Sequence, residues 1–137
     1  MELNTYLHFN GNCAEAFKFY EKSLGGKILM MMTHADAPPE LKVPDEWRSK
    51  IMHARMSFGD QVLLGSDAPP DRYSKPAGFS VSISVKGAEE AERLYKALSE
   101  GGQIHMALAE TFWAIRFGMF VDKFGVPWMI NAEKTPA

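Results

Sequence analysis

Few residues in this chain are equipped for chemistry. Of its four histidines, His8 and His53 fall in segments that alternate like β-strands, and Arg55 lies two positions beyond the second. Another arginine stands at Arg116, the single cysteine is Cys13, and Asp67 closes an apolar run. Imidazole suits proton transfer near neutral pH and metal ligation. A guanidinium offers a planar fork to a carboxylate or phosphate. No G-x-S-x-G or C-x-x-C pattern occurs, so neither the serine-elbow nor the dithiol route has its signature. Cys13 sits at a predicted helix start, where a thiol pKa can fall. It also lies on that helix's apolar stripe, which favours a buried, inert role.

Those side chains need elements to position them. "TYLHF" alternates as a strand, with Leu7 and Phe9 expected toward a helix and Asn4, Tyr6 and His8 on the other face. "NGNCAEAFKFYEKSLGG" repeats apolar residues at Cys13, Ala16, Phe17, Tyr20 and Leu24, one stripe of a helix. Asn12 is the expected cap, with Glu15 three residues on, and Gly25–Gly26 the stop. A strand "KILMMMT", a loop of sixteen residues and a hairpin turning at Gly59–Asp60 complete a βαβββ module. The hairpin's first strand, "KIMHARMSF", is expected to turn Met52, Ala54, Met56 and Phe58 to the helix, and His53 and Arg55 away from it.

The plan then repeats. Residues 1–68 read as module one, the Pro- and Gly-rich residues 69–78 as a linker, and 79–137 as module two, all within a single domain. In "FSVSISV", Ser80, Ser82 and Ser84 take one face and Val81, Ile83 and Val85 the other. A helix striped by Ala91, Leu94, Tyr95 and Leu98 follows, then "QIHMALA" and a last hairpin. "GGKILM" at Gly25 and "GGQIHM" at Gly101 open corresponding strands. The expected fold class is therefore α+β: two tandem βαβββ modules forming a curved mixed sheet. One helix covers only one face of each sheet, so the other must close on something and leave a cavity, the default ligand site.

That cavity's expected lining follows from alternation: Tyr6, His8, His53, Arg55, Ser80, Ser82, Trp113, Arg116, Phe120, Met129 and Asn131. In the last hairpin Met129, Asn131, Phe120 and Arg116 are placed on one face, and Trp128 and Ile130 on the other. The long loop "HADAPPELKVPDEWRS" reads as a lid, with Trp47 closing over a ligand. The plainer readings are a structural hydrogen bond for His53, ion pairs for Arg55 and Arg116, and core for Trp113 and Trp128. The functional reading has Arg55 or Arg116 gripping an anionic ligand, with His53 or His8 as the candidate catalytic base.

The net charge of −2 provides no field for nucleic acid, and no apolar run approaches the ~20 residues of a membrane helix. The opening "MELNTYLHF" has no signal-peptide pattern and the lone cysteine has no internal partner, so cytoplasmic residence is expected.

The paired modules resemble the glyoxalase / bleomycin-resistance / extradiol-dioxygenase (vicinal oxygen chelate) superfamily, through "FYEKSLG" at Phe19, Tyr20, Leu24 and Gly25. Closer still is its PhnB-like branch, once labelled 3-demethylubiquinone methyltransferase-like. The stretches "YLHFNGNCAEAFKFY", "KIMHARMSFGD", "LLGSDAPP", "SEGG" and "TFWAIRFGMFVDKFGVPWMIN" carry that likeness across nearly the whole chain. The resemblance implies a homodimer with a shared cavity and, in many members, a divalent metal held by His and Glu. The corresponding positions here are Asn4 or Thr5, Leu63 to Gly65, Ser80 or Phe79, and Met129, with Glu133 four residues on and expected past the strand end. None of the first four supplies a ligand, so no metal or other cofactor is expected. The alternatives are a rearranged metal site, such as His8, His53 and Asp67, in a lyase, dioxygenase or thiol transferase, and a metal-free isomerase or lyase. The methyltransferase label lacks its glycine-rich nucleotide turn. The leading expectation is a small-molecule-binding protein whose ligand is an aromatic or anionic metabolite or an antibiotic.

Overall fold

The computed structural model describes residues 1–38 and 42–134. The chain divides into two compact units, Met1–Ser74 and Lys75–Ala137, a division inside the Pro- and Gly-rich stretch. The first unit runs β1 (Thr5–Phe9), α1 (Cys13–Leu24), β2 (Lys27–Thr33), β3 (Ile51–Phe58) and β4 (Gln61–Asp67). The second runs β5 (Val81–Ser84), α2 (Ala88–Ser99), β6 (Gln103–Ala109), β7 (Ala114–Val121) and β8 (Pro127–Glu133). Each holds a four-stranded sheet of the same topology, β1-β4-β3-β2 and β5-β8-β7-β6. In both, the first and last strands pair in parallel and the other pairs are antiparallel. The fold is thus α+β, built of two βαβββ units.

The apolar stripe of α1 explains the first unit's core. Cys13, Ala16, Phe17 and Tyr20 are fully buried and meet Leu7, Phe9, Ala54, Met56 and Leu63 from the sheet. Burial of each large side chain there stabilises by roughly 1.5–3 kcal/mol. Gly65 makes room for the helix: an added Cβ would lie 2.8 Å from the Phe17 ring. In the second unit Ala91, Leu94 and Leu98 of α2 are buried, as are Phe120, Trp128, Ile130 and Ala132 of the sheet.

The cap of α1 differs from expectation. Asn12 occupies the N-cap position, but its side chain makes no capping bond. The cap comes from the far end of the sheet instead. Buried Asp67 accepts the Cys13 N–H at 2.9 Å through Oδ1 and the Ile51 N–H at 2.8 Å through Oδ2. A full carboxylate reaching the helix N-terminus satisfies an orphan donor and the helix dipole together, which a neutral local amide does less well.

The sequence repeat is a repeat of backbone geometry. Gly25 and Gly101 both end helical segments with positive φ, 77° and 76°. The glycine after each meets the sheet: a Cβ on Gly26 would lie 2.8 Å from Ser57 O, and one on Gly102 would collide with Val121 O and lie 2.9 Å from Asp122 Cα.

Asp67→Asn replaces an acceptor with a donor facing a backbone N–H. It is expected to cost about 2–3 kcal/mol, read from urea denaturation. Gly102→Ala is expected to cost about 1–3 kcal/mol in the same measurement, because the obstacle is backbone and cannot rotate away.

Candidate functional site

Each sheet has one face under its helix and one face turned away from it. In the first unit, Leu7 and Phe9 take the helix side, which puts Tyr6 and His8 on the open face. Tyr6 pairs with Leu64, Leu64 with Arg55, and Arg55 with Met30, so these four form one rung across the sheet. His53 stands two positions along β3 from Arg55, on the same face, opposite Met32.

The rings on this face are in contact. Tyr6 Oη and His53 Nδ1 are hydrogen-bonded at 3.2 Å, and the two rings lie nearly parallel, 24° apart, with centroids 5.7 Å from each other. The His8 ring centroid lies 5.1 Å from that of Tyr6, tilted by 39°. A neutral imidazole that accepts the phenol's proton at Nδ1 carries its own proton on Nε2, so the hydrogen bond orients both ring nitrogens. Arg55 is half-buried beside this cluster and forms no ion pair among the described residues. Phenol, imidazole and guanidinium on one face make a surface that donates hydrogen bonds and attracts anions.

The second unit's open face is chemically different. Ser82 pairs with Met129, Met129 with Met119, and Met119 with Met106. The next rung reads Ser84, Asn131, Phe117 and Ala109. Trp113, 42% exposed just before β7, sets its ring against Phe117 at 5.2 Å. Ser80 lies immediately before β5 and shares the parity of Ser82. Phe117, Met106 and Met119 were absent from the sequence-derived lining. A bulge on β6 sets Met106 opposite Met119, and the length of the β7–β8 turn sets odd positions of β7 opposite odd positions of β8; alternation counted from the letters sees neither.

The register with β8 corrects two expected lining residues. Phe120 pairs with Trp128, is 1% exposed, and meets Tyr95 of α2 edge-on at 5.7 Å, so it is core on the helix side. Arg116 pairs with Ala132 on that side too, and its Nε donates to Glu92 of α2 at 3.1 Å. The two arginines that sequence left as equals are therefore distinguished by their partners. Trp128 is buried, its indole N–H donating to Asp122 Oδ2 at 2.8 Å.

Asp67 is corrected as a metal ligand. It shares its rung with Phe9 on the helix side, and both carboxylate oxygens hold backbone N–H groups, whereas His8 and His53 face the other way. The positions where the resemblance implies metal ligands hold Thr5 opposite Leu63 in the first unit, and Ser80 just before β5 and Met129 on β8 in the second. None of these side chains is a good ligand for a borderline divalent ion. No group of three His, Cys, Asp or Glu suited to a metal occurs among the described residues.

Trp47 ends a 3-10 turn, Asp45–Trp47, and its ring lies 6.2 Å from His34. The proposed lid also includes Pro39, Glu40 and Leu41, which lie outside the described residues. Cys13 is fully buried, and burial, reinforced by the nearby Asp67 charge, pushes its thiol pKa far up. A nucleophilic role is ruled out by that neutral, enclosed thiol.

Comparison with known proteins gives a consistent picture. The family described as 3-demethylubiquinone-9 3-methyltransferase matches residues 1–131. The crystal structure of protein PA1353 from Pseudomonas aeruginosa is 46% identical and superposes with a TM-score of 0.90, covering 98% of this chain and 99% of that one. A putative 3-demethylubiquinone-9 3-methyltransferase, PhnB protein, from Bacillus cereus is 22% identical with a TM-score of 0.80, over 96% and 99% of the two chains. A glyoxylase/bleomycin resistance protein/dioxygenase domain from Frankia is 12% identical with a TM-score of 0.70, over 100% and 94%. The last two are likenesses of fold.

Cys13 is expected to resist a disulfide reagent such as DTNB at pH 8 in the folded protein and to react fully in urea. Because the folded thiol pKa is raised, its contribution to stability is present below the unfolded thiol pKa and declines as pH rises beyond it. Rapid labelling of native protein at absorbance-detectable stoichiometry contradicts the burial.

Proposed function

Because the chain belongs to the PhnB-like branch of the glyoxalase / bleomycin-resistance superfamily, whose family description is 3-demethylubiquinone-9 3-methyltransferase, we propose that it binds an anionic, aromatic small molecule without a catalytic metal. The observation that carries this reading is Arg55, without an ion pair among the described residues, on an open sheet face that also carries the hydrogen-bonded Tyr6–His53 pair. A carboxylate or phosphate accepts two parallel hydrogen bonds from the guanidinium fork. In the tautomer whose Nδ1 accepts from Tyr6, His53 Nε2–H adds a third donor, and the Tyr6 ring gives an aromatic ligand a flat neighbour.

Methyl transfer draws no support from the site. The described sheets are mixed and mainly antiparallel, and "FNGNCAEAF" between β1 and α1 is not a glycine-rich nucleotide turn. Acid–base catalysis by His53 is a second reading, favoured by the Tyr6 hydrogen bond that fixes its ring. Homodimer formation and cytoplasmic residence belong to the same proposal. The open face in each unit supports the first, since half of each sheet surface lacks a helix to cover it. The single, buried thiol is compatible with the second.

Isothermal titration with benzoate tests the anion site. Arg55→Ala is expected to weaken benzoate roughly tenfold to a hundredfold, the loss of charge-assisted hydrogen bonds, while Arg116→Ala leaves affinity unchanged. Equal loss in both variants, or none in Arg55→Ala, sinks the reading. Metal analysis gives an independent check: stoichiometric zinc, nickel, manganese or iron that EDTA removes together with an activity contradicts the metal-free proposal.

A further inference from the structure

The rung Ser82–Met129–Met119–Met106 and the rung beside it contain no ionisable side chain. Met106 is 47% exposed, and Met119 and Met129 are half-buried on the same face. Phe117 and Trp113 flank the row edge to face. Thioethers are polarizable and flexible, and they contact aromatic rings favourably at their edges. A row of three of them spanning one sheet is suited to a flat ring system and poorly suited to a charge.

A second observation on this face concerns Asn131. Its Nδ2 donates to Glu133 Oε1 at 3.3 Å. A carboxylate only accepts, so this contact fixes the amide's orientation and assigns the other terminal atom as Oδ1. That oxygen is shielded from water and has no hydrogen-bond partner among the described residues. A buried acceptor left unpaired is costly, and in native proteins such an atom commonly has a partner that arrives from elsewhere. Asn131 lies opposite Phe117, between it and Ser84.

From these two observations we infer that the second unit's open face seats an uncharged bicyclic aromatic group bearing an O–H or N–H. The ring lies on the methionine row against Phe117, and its donor meets Asn131 Oδ1 once the side chains that shield that oxygen turn aside. The inference rests on the reading of the open sheet faces as ligand-binding surfaces, and it names the chemistry of the part of the ligand that the second unit holds. Asn131 and the methionines are binding residues here, and no bond of the ligand is made or broken.

The test uses the full chain with 13C-methyl methionine and 2-naphthol as the probe. Single Met→Leu substitutions, which conserve volume, assign the resonances. The expected result is a saturable upfield ring-current shift of the Met106, Met119 and Met129 methyls, with core Met56 unmoved. Cyclohexanol, a donor without an aromatic ring, is expected to leave them in place. 2-Methoxynaphthalene, a ring without a donor, is expected to bind roughly tenfold more weakly, the effect of leaving an acceptor unpaired. Asn131→Leu is expected to abolish that preference while the Met56 resonance reports an intact core. Stationary methyls, equal shifts from cyclohexanol, or a naphthol preference that survives Asn131→Leu each overturn the inference. The probes are neutral, so failure here is separate from the benzoate experiment. Benzoate binding that depends on Arg55, with no naphthol binding, removes this inference alone. Naphthol binding with no benzoate binding removes the anion site alone.

Discussion

A single carboxylate fastens the first unit together. Asp67 ends β4, yet its two oxygens are bonded to the first residue of α1 and the first residue of β3. Three elements therefore meet at one buried charge, and the helix cannot shift along the sheet without breaking a charge-assisted bond. That matters for the open face because β1 and β3 carry Tyr6, His53 and Arg55, and β4 runs between them. In the second unit Asp122 has a comparable role at the other end of its sheet. It accepts from Phe124 N, Val126 N and the Trp128 indole, tying the β7–β8 turn to the core. The two units share a plan but secure it with carboxylates at different corners.

The same plan carries two different surfaces. Tyr6–Leu64–Arg55–Met30 and Ser82–Met129–Met119–Met106 occupy the corresponding rung of each sheet, strand for strand. On the helix side both rungs are bounded by similar apolar cores, because packing against a helix demands it. On the open side that demand is absent, and the residues have diverged into a phenol–guanidinium surface and a thioether surface. The likeness between the units thus lies in what the core requires. The difference between them lies where a ligand would read it.

The long loop after β2 is the other departure from the repeat. The second unit joins β6 to β7 through residues 110–113, whereas the first spends residues 34–50 on the same connection. Thr33 closes its start by donating both its N–H and its hydroxyl to Asp36 Oδ2, and the His34 and Trp47 rings approach within it. The first unit's edge strand is thereby followed by ordered turns of its own, with Lys50 returning the chain through a 2.9 Å bond to Gly11 O.

Sequence by itself determined the βαβββ repeat, both helices, the double-glycine stops and the sides taken by Leu7, Phe9, Trp128 and Ile130. These follow from local periodicity and from glycine's freedom at positive φ, which neighbouring letters encode. It also separated His53 and Arg55 from the helix side, because β3 alternates without interruption over that stretch. Tertiary structure alone decided the fate of Arg116, Phe120, Asn12 and Asp67. The length of the β7–β8 turn decides which parity of one strand meets which of the other, so the face of Arg116 and Phe120 had to be read from the register with β8. Asp67 caps a helix fifty-four residues away in sequence, a pairing set by the parallel β1–β4 contact and invisible to any local cap rule. The missing carboxylate at Met129 was legible from the letters. That Met129 instead stands in a continuous row with Met119 and Met106 depended on three strands meeting in register.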